Sequence, residues 1–282
     1  MFDDRLVTLT IKIGNDTYTF DQEYYIAATG IIFTGGLFGQ STIKIDNISK
    51  QVLDTLITKT TVWRPNRTTA NVSLSIGRAS YGTFEIFNGG AIASNPSQPP
   101  NIGMIIQSNT LSTILGQPNA FTAGSMTTIK SLCQSLAQSF NVPLVYEATS
   151  QQQVGNYHFV GPLSKQIMKI NDLGIVKVSY VNSQIVVTDL GAARKLPVVQ
   201  VDTDHGLIGV PEVTEKGVRV KVLITNEIKL GSPVTVTSTV NPAANGNFTI
   251  FKLGYEIASR DTPFYYVLDL QPNPLTLGAL AQ

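Results

Sequence analysis

The stretch GLIGVPEVTEKGVRVKVLI, residues 206–224, decides how the chain is divided. Gly206 and Gly209 bracket two apolar residues, and Pro211 and a charged turn follow. GVRVKVLI (217–224) then alternates apolar and polar side chains, the period of a half-buried strand. We read LIGVPEVTE as a crossing segment, Lys216-Gly217 as a turn and VRVKVLI as the first long strand of a C-terminal β region. No residue in the run is chemistry by itself, so its meaning depends on its surroundings.

Outward from it, LPVVQV (196–201), PVTVTST (233–239), NFTIFKLGYEIAS (247–259) and FYYVLDLQP (264–272) all read as strands. The turn at Pro242–Gly246 separates two of them. The preceding segment has helical spacing instead. Ser125 or Thr127 is expected to cap a helix bearing Ile129, Leu132, Cys133, Leu136, Ala137 and Phe140. VPLVYE (142–147) reads as a strand. A second helix follows Pro162, with Leu163, Ile167, Ile170 and Leu173 inward and Gly174 as its C′ residue. GIVKVSYVNSQIVVTD (174–189) is a hairpin turning at Asn182-Ser183.

The N-terminal part is again strand-like: LVTLTIKI (6–13), TYTF (17–20), YYIAATGIIF (24–33), STIKIDNI (41–48), ANVSLSIGR (70–78), GTFEIFNGGAIAS (82–94) and IGMIIQS (102–108). Gly14-Asn15-Asp16 supplies hairpin chemistry, and Gly35-Gly36 separates the next pair. Ser49 caps a short helix with Val52, Leu53, Leu56 and Ile57 on one face. The expected architecture is mainly β with an α+β insert. Two small β-barrel domains, 1–110 and 196–272, flank a helix-strand-helix-hairpin domain at 111–195, and a C-terminal tail occupies 273–282.

Composition narrows the function. The chain has 282 residues, 43% hydrophobic and only 14% charged, so Ser, Thr, Asn and Gln must cover much of the surface. Such a surface suits burial against partners. Net charge is +1, and the densest basic pair, Arg64 with Arg67, is too small for phosphate-backbone binding. Cys133 is the single cysteine, which leaves no internal disulfide and reads as a buried thiol. No apolar run reaches the ~20 residues of a membrane helix, and MFDDRLVTL is unlike a signal peptide. Synthesis in a cytoplasm is therefore expected. The Asn-x-Ser/Thr matches at Asn15, Asn47, Asn66, Asn71 and Asn247 then carry little meaning.

The search for chemistry yields little. Asp202, Asp204 and His205 could bind an ion, but a polar turn explains them equally well. His158, between Tyr157 and Phe159, reads as a partly buried structural histidine. No G-x-S-x-G elbow and no Gly-rich phosphate loop occurs. Tyr24-Tyr25 and Tyr265-Tyr266 are each expected to put one ring in the core and one outside. Trp63 is read as a plug at a barrel end. We assign no catalytic, metal or cofactor residue.

Three patches carry a resemblance. They are STIKIDNISKQVLDTL (41–56), FEIFNGGAIASNPSQPPNIGMIIQS (84–108), and the opening stretch followed by Leu230-Gly231-Ser232-Pro233-Val234. With the closing LGYEIASRDTPFYYVLDLQP, their order resembles the baseplate hub proteins of phages with contractile tails. These are related to tail tube proteins and to the hub half of type VI secretion spikes. Where such hubs often have His-x-Gly-Asp, this chain has Ala258-Ser259-Arg260-Asp261. The resemblance implies tail-tube-like barrels and a non-enzymatic homotrimeric ring in the virion tail baseplate. That ring would adapt a sixfold tube or tube-initiator protein to a central spike, with tape-measure and wedge proteins as further partners and no sequence-specific nucleic acid. Another tail tube or baseplate protein is the nearest alternative. A tail-associated cell-wall hydrolase and a carbohydrate-binding module are alternatives of another class.

Overall fold

The computed structural model describes residues 3–34, 39–61, 68, 70–98, 102–110, 117–123 and 126–273. Gly35-Gly36, Trp63, Arg64, Asn66, Arg67, Ser125 and the tail beyond Asn273 lie outside the described residues.

The N-terminal region follows its alternation. It comprises β1 (Arg5–Ile13), β2 (Asp16–Phe20), β3 (Tyr25–Phe33), β4 (Gln40–Asp46), α1 (Lys50–Thr60), β5 (Ala70–Arg78), β6 (Gly82–Pro96) and β7 (Gly103–Asn109). Val7, Leu9, Ile11 and Ile13 of β1 are all buried. Ser49 caps α1 by accepting from the Val52 amide at 3.4 Å, and Leu53 and Leu56 face inward. Lys59 ties the last turn of α1 to Asp16 at 2.6 Å.

The middle region comprises β8 (Pro118–Thr122), β9 (Met126–Thr128), α2 (Ile129–Ser139), β10 (Leu144–Tyr146), β11 (Gln153–Gly155), β12 (His158–Pro162), α3 (Leu163–Asn171), β13 (Val176–Val181) and β14 (Gln184–Asp189). The short ladders β9–β11 and β8–β12 were not expected from periodicity. They also correct the helix start. Pairing with β11 keeps 126–128 extended, so the cap is Thr128 and not Thr127. Thr128 accepts from the Ser131 amide at 3.2 Å. Gly174 adopts φ 67° two residues past the α3 cap Asp172, not at the next position, because the chain makes a further turn there. Asn182 (φ 49°) and Ser183 (φ 60°) turn the β13–β14 hairpin where expected.

The last region comprises β15 (Val199–Val201), β16 (Leu207–Thr214), β17 (Gly217–Leu223), β18 (Pro233–Val236), β19 (Gly246–Ala258) and β20 (Phe264–Pro272). LIGVPEVTE is therefore a strand, not a crossing segment. Both of its ends pair with β17, and the ladder shifts register between Ile208 and Glu212 to absorb the Gly and Pro.

One 13-stranded sheet joins the two β regions, in the order β16-β17-β20-β19-β3-β4-β7-β6-β5-β1-β2, with β15 and β18 branching beside β19. The seam is β3 against β19, antiparallel from Phe33↔Lys252 to Ala27↔Ala258. At its centre Gly30 faces Tyr255, and a Cβ there would collide with the Tyr255 ring. Among the described residues the buried side chains form two cores. One runs through both β regions; the other is enclosed by α2, α3 and the β10-β14-β13 sheet.

The β13–β14 hairpin belongs to both cores. Val176, Val178, Ile185 and Val187 lie in the insert's core. Val181 and Val186, on the opposite face, lie in the core of the large sheet. Strand alternation thus docks the insert.

Candidate functional site

The structure places the stretch 206–224 at one end of the large sheet. The chain enters it through Asp202–His205. Asp202 Oδ1 accepts from the amides of Asp204 and His205, each at 2.9 Å, and lies 2.7 Å from His205 Nδ1. The hydrogen bond to His205 is the main cause that holds the Asp202 pKa below its ordinary value. This is a self-satisfied turn. Among the described residues, no group of three His, Cys, Asp or Glu could hold a metal ion.

β16 is a terminal strand, yet its free backbone is blunted. Pro211 has no N–H, its carbonyl accepts from Asn241 Nδ2 at 2.8 Å, and the register shift twists the strand. The edge presents side chains instead. Val210 and Val213 are 52% and 59% exposed, and Val240, beside Asn241, is 74% exposed.

The neighbouring face carries charge. A hollow of about 620 Å³ crosses β4, β3, β19, β20, β17 and β16. Along it, register sets Arg219 opposite Asp269 and Asp269 opposite Lys252. Arg219 donates to Asp269 through Nε at 2.6 Å and Nη2 at 3.3 Å, and Lys252 Nζ lies 3.0 Å away. Burial disfavours the Asp269 carboxylate, but its two cations outweigh that and keep its pKa lowered. Tyr265 donates to Glu256 at 2.7 Å, with the Lys221 ammonium 5.3 Å from its ring centre. Sequence reasoning did not find this ladder, since the pairing of β17, β20 and β19 is needed to bring the charges together. Its signal was the polar phase of VRVK and of FKLGYE.

The other candidates resolve simply. Tyr266 is buried and Tyr265 half-exposed, as expected. Tyr24 and Tyr25 are both half-buried, so this pair does not divide into a core ring and an outside ring: Tyr24 packs edge-on against Phe20 at 5.1 Å, and Tyr25 lies under Lys44. His158 is exposed, not partly buried: β12 is the outer strand of a two-stranded ladder, and its Nδ1 lies 2.6 Å from Thr122 Oγ1. Cys133 is buried, and burial pushes its thiol up to about 12. What remains among the described residues is a set of surfaces.

A family model described as baseplate hub gp41 matches residues 6–270. The chain belongs to the baseplate hub gp41 family. It is a structural protein of the phage tail baseplate, in agreement with the resemblance carried by its sequence patches. No curated protein sequence matches it. Solved structures share the hub fold at low identity. An E. coli type VI secretion component, c3393, described as similar to the T4 tail proteins gp27 and gp5, aligns with TM-score 0.59 and 8% identity over 93% of this chain and 76% of that one. The 43 kDa tail protein of prophage MuSo2 from Shewanella oneidensis gives 0.54 and 9%, over 95% and 98%. A chain of the Francisella PdpA-VgrG complex gives 0.53 and 8%, over 97% of this hub chain and 59% of its own length.

Proposed function

We propose that this hub protein assembles as a homotrimeric ring that adapts a sixfold tail tube, or its initiator, to a central spike of a contractile tail. The supporting observation is the seam: two antiparallel β regions lie side by side in one sheet, joined through β3 and β19. Three such chains present six β regions, matching a sixfold tube on one side and a threefold spike on the other. In this reading residues 1–110 and 196–272 are the ring-forming domains and 111–195 is an appended domain. Tape-measure and wedge proteins are further neighbours. The chain is made in the host cytoplasm and has no catalytic role. The exposed valines at the β16 end pack against the next copy through side chains, since the edge backbone there is blunted.

Counting copies by quantitative mass spectrometry of purified tails tests this. About three copies per particle support the ring, and dozens would indicate a tube subunit. Absence from particles would remove the reading. Val210→Asp with Val240→Asp should leave the monomer folded and lower incorporation into tails.

A further inference from the structure

The face of the β13–β14 hairpin that docks on the large sheet is apolar at one end and polar at the other. Val181 and Val186 fill the apolar end. At the polar end Lys177, Ser179 and Thr188 line a small cavity, closed from the other side by Thr34, Arg194 and Thr249. Its volume is about 20 Å³. That leaves room for a small occupant such as a water molecule or a monatomic ion.

The polar inventory of this cavity is lopsided. Thr249 is 2% exposed, and its hydroxyl oxygen has no hydrogen-bond partner among the described residues. The Arg194 side chain is 10% exposed, and its Nε–H is likewise buried without a partner among the described residues. Gly231, at φ 85°, leaves room for the Arg194 stem, which a Cβ there would meet, and its carbonyl accepts from the Arg194 amide at 2.9 Å. The nearest counter-charge is Glu147, 3.7 Å from the far end of the guanidinium. Lys177 lies half-buried on the same wall, and burial alone lowers its pKa, with no acidic group acting on it. Two cations and one carboxylate leave a net positive charge around a cavity whose walls are partly apolar, from Val181, Val186, Ala192 and Leu230, with hydroxyl groups of Thr34, Ser179, Thr188 and Thr249 among them. Buried donors left unmade cost free energy, and a buried cation needs a partner.

We propose that this cavity is a binding site for a single monatomic anion of chloride size, held by the Lys177 ammonium, the Arg194 Nε–H and the Thr249 hydroxyl. The hairpin and strand β19 supply opposite walls, so the ion fastens the insert to the C-terminal β region. Neutralising Lys177 removes the charge that selects an anion over water. Replacing Thr249 with an isosteric apolar residue removes a donor and leaves the volume unchanged.

Thermal unfolding of the full chain in matched sodium chloride and sodium gluconate reads the site, because gluconate is too large to enter. The expected result is a Tm higher in chloride by about 2 °C at 100 mM, equivalent to a Kd of about 10 mM. Lys177→Met and Thr249→Val should each abolish the chloride-specific part. Crystals grown in bromide should show an anomalous peak between Lys177 and Thr249. Equal Tm values in the two salts would overturn the proposal. So would a chloride effect that persists unchanged in either variant, or a bromide-grown crystal with no anomalous peak in the cavity, which would mark the occupant as water. If one variant fails to fold, the other variant and the bromide map still decide.

Discussion

The insert and the seam are held together by the same kinds of contact, but over very different stretches of chain. The insert core gathers Ile129, Leu132, Leu136, Ile167, Val178 and Ile185 from one continuous segment. The seam sets Ala27 against Ala258 and Gly30 against Tyr255, from opposite ends of the protein. Local periodicity is enough to assemble the first. The second forms only when the chain pays a long loop-closure entropy, and what then fixes its register is side-chain fit. The insert is therefore expected to loosen while the seam stays closed.

Leu136→Ala tests this most strongly. Leu136 is fully buried in the insert core, so its loss should cost about 3 kcal/mol. Cys133 lies one turn away and is equally buried. Its labelling by a thiol reagent should accelerate roughly a hundredfold, in step with local opening. Amide exchange in β3 and β19 should hardly change. Equal acceleration in both places would show that the insert and the seam open as one unit.

Gly30→Val is the reciprocal test. The new side chain would meet the Tyr255 ring, which is 1% exposed and must shift to admit it. A cost of about 2 kcal/mol is expected, read as faster amide exchange along β3–β19, with Cys133 labelling unchanged.

The charged ladder should give a smaller effect. Asp269→Asn leaves Arg219 and Lys252 without their carboxylate and should cost about 1 kcal/mol, because Arg219 is partly exposed and solvent screens the pair. The folded pKa of Asp269 is lowered, so its contribution is fully present above the unfolded value of about 3.9. It is lost as pH falls through the folded pKa. The acid limb of the stability curve should thus be shallower in the variant below about pH 4. Ser49→Ala is the mildest change. Loss of the α1 cap should cost about 0.5–1 kcal/mol, confined to exchange of the first turn of α1, with neither seam nor insert affected.

Sequence patterning determined each strand of the N-terminal region, the α1 cap at Ser49, both insert helices and the turn at Asn182-Ser183. In each case the evidence is a period or a residue type acting on its near neighbours. It missed the short ladders β8–β12 and β9–β11, whose few residues are too short to show a period. It misread β16, where Gly209 and Pro211 hide a strand behind a register shift. Only the tertiary structure decided that β3 pairs with β19, that Arg219, Asp269 and Lys252 form one ladder, and that Lys177, Arg194 and Thr249 share a cavity. The physical reason is that backbone hydrogen bonding is generic. Any strand edge can satisfy any other, so neighbours are chosen by packing between residues that are remote along the chain, which no local window of the sequence contains.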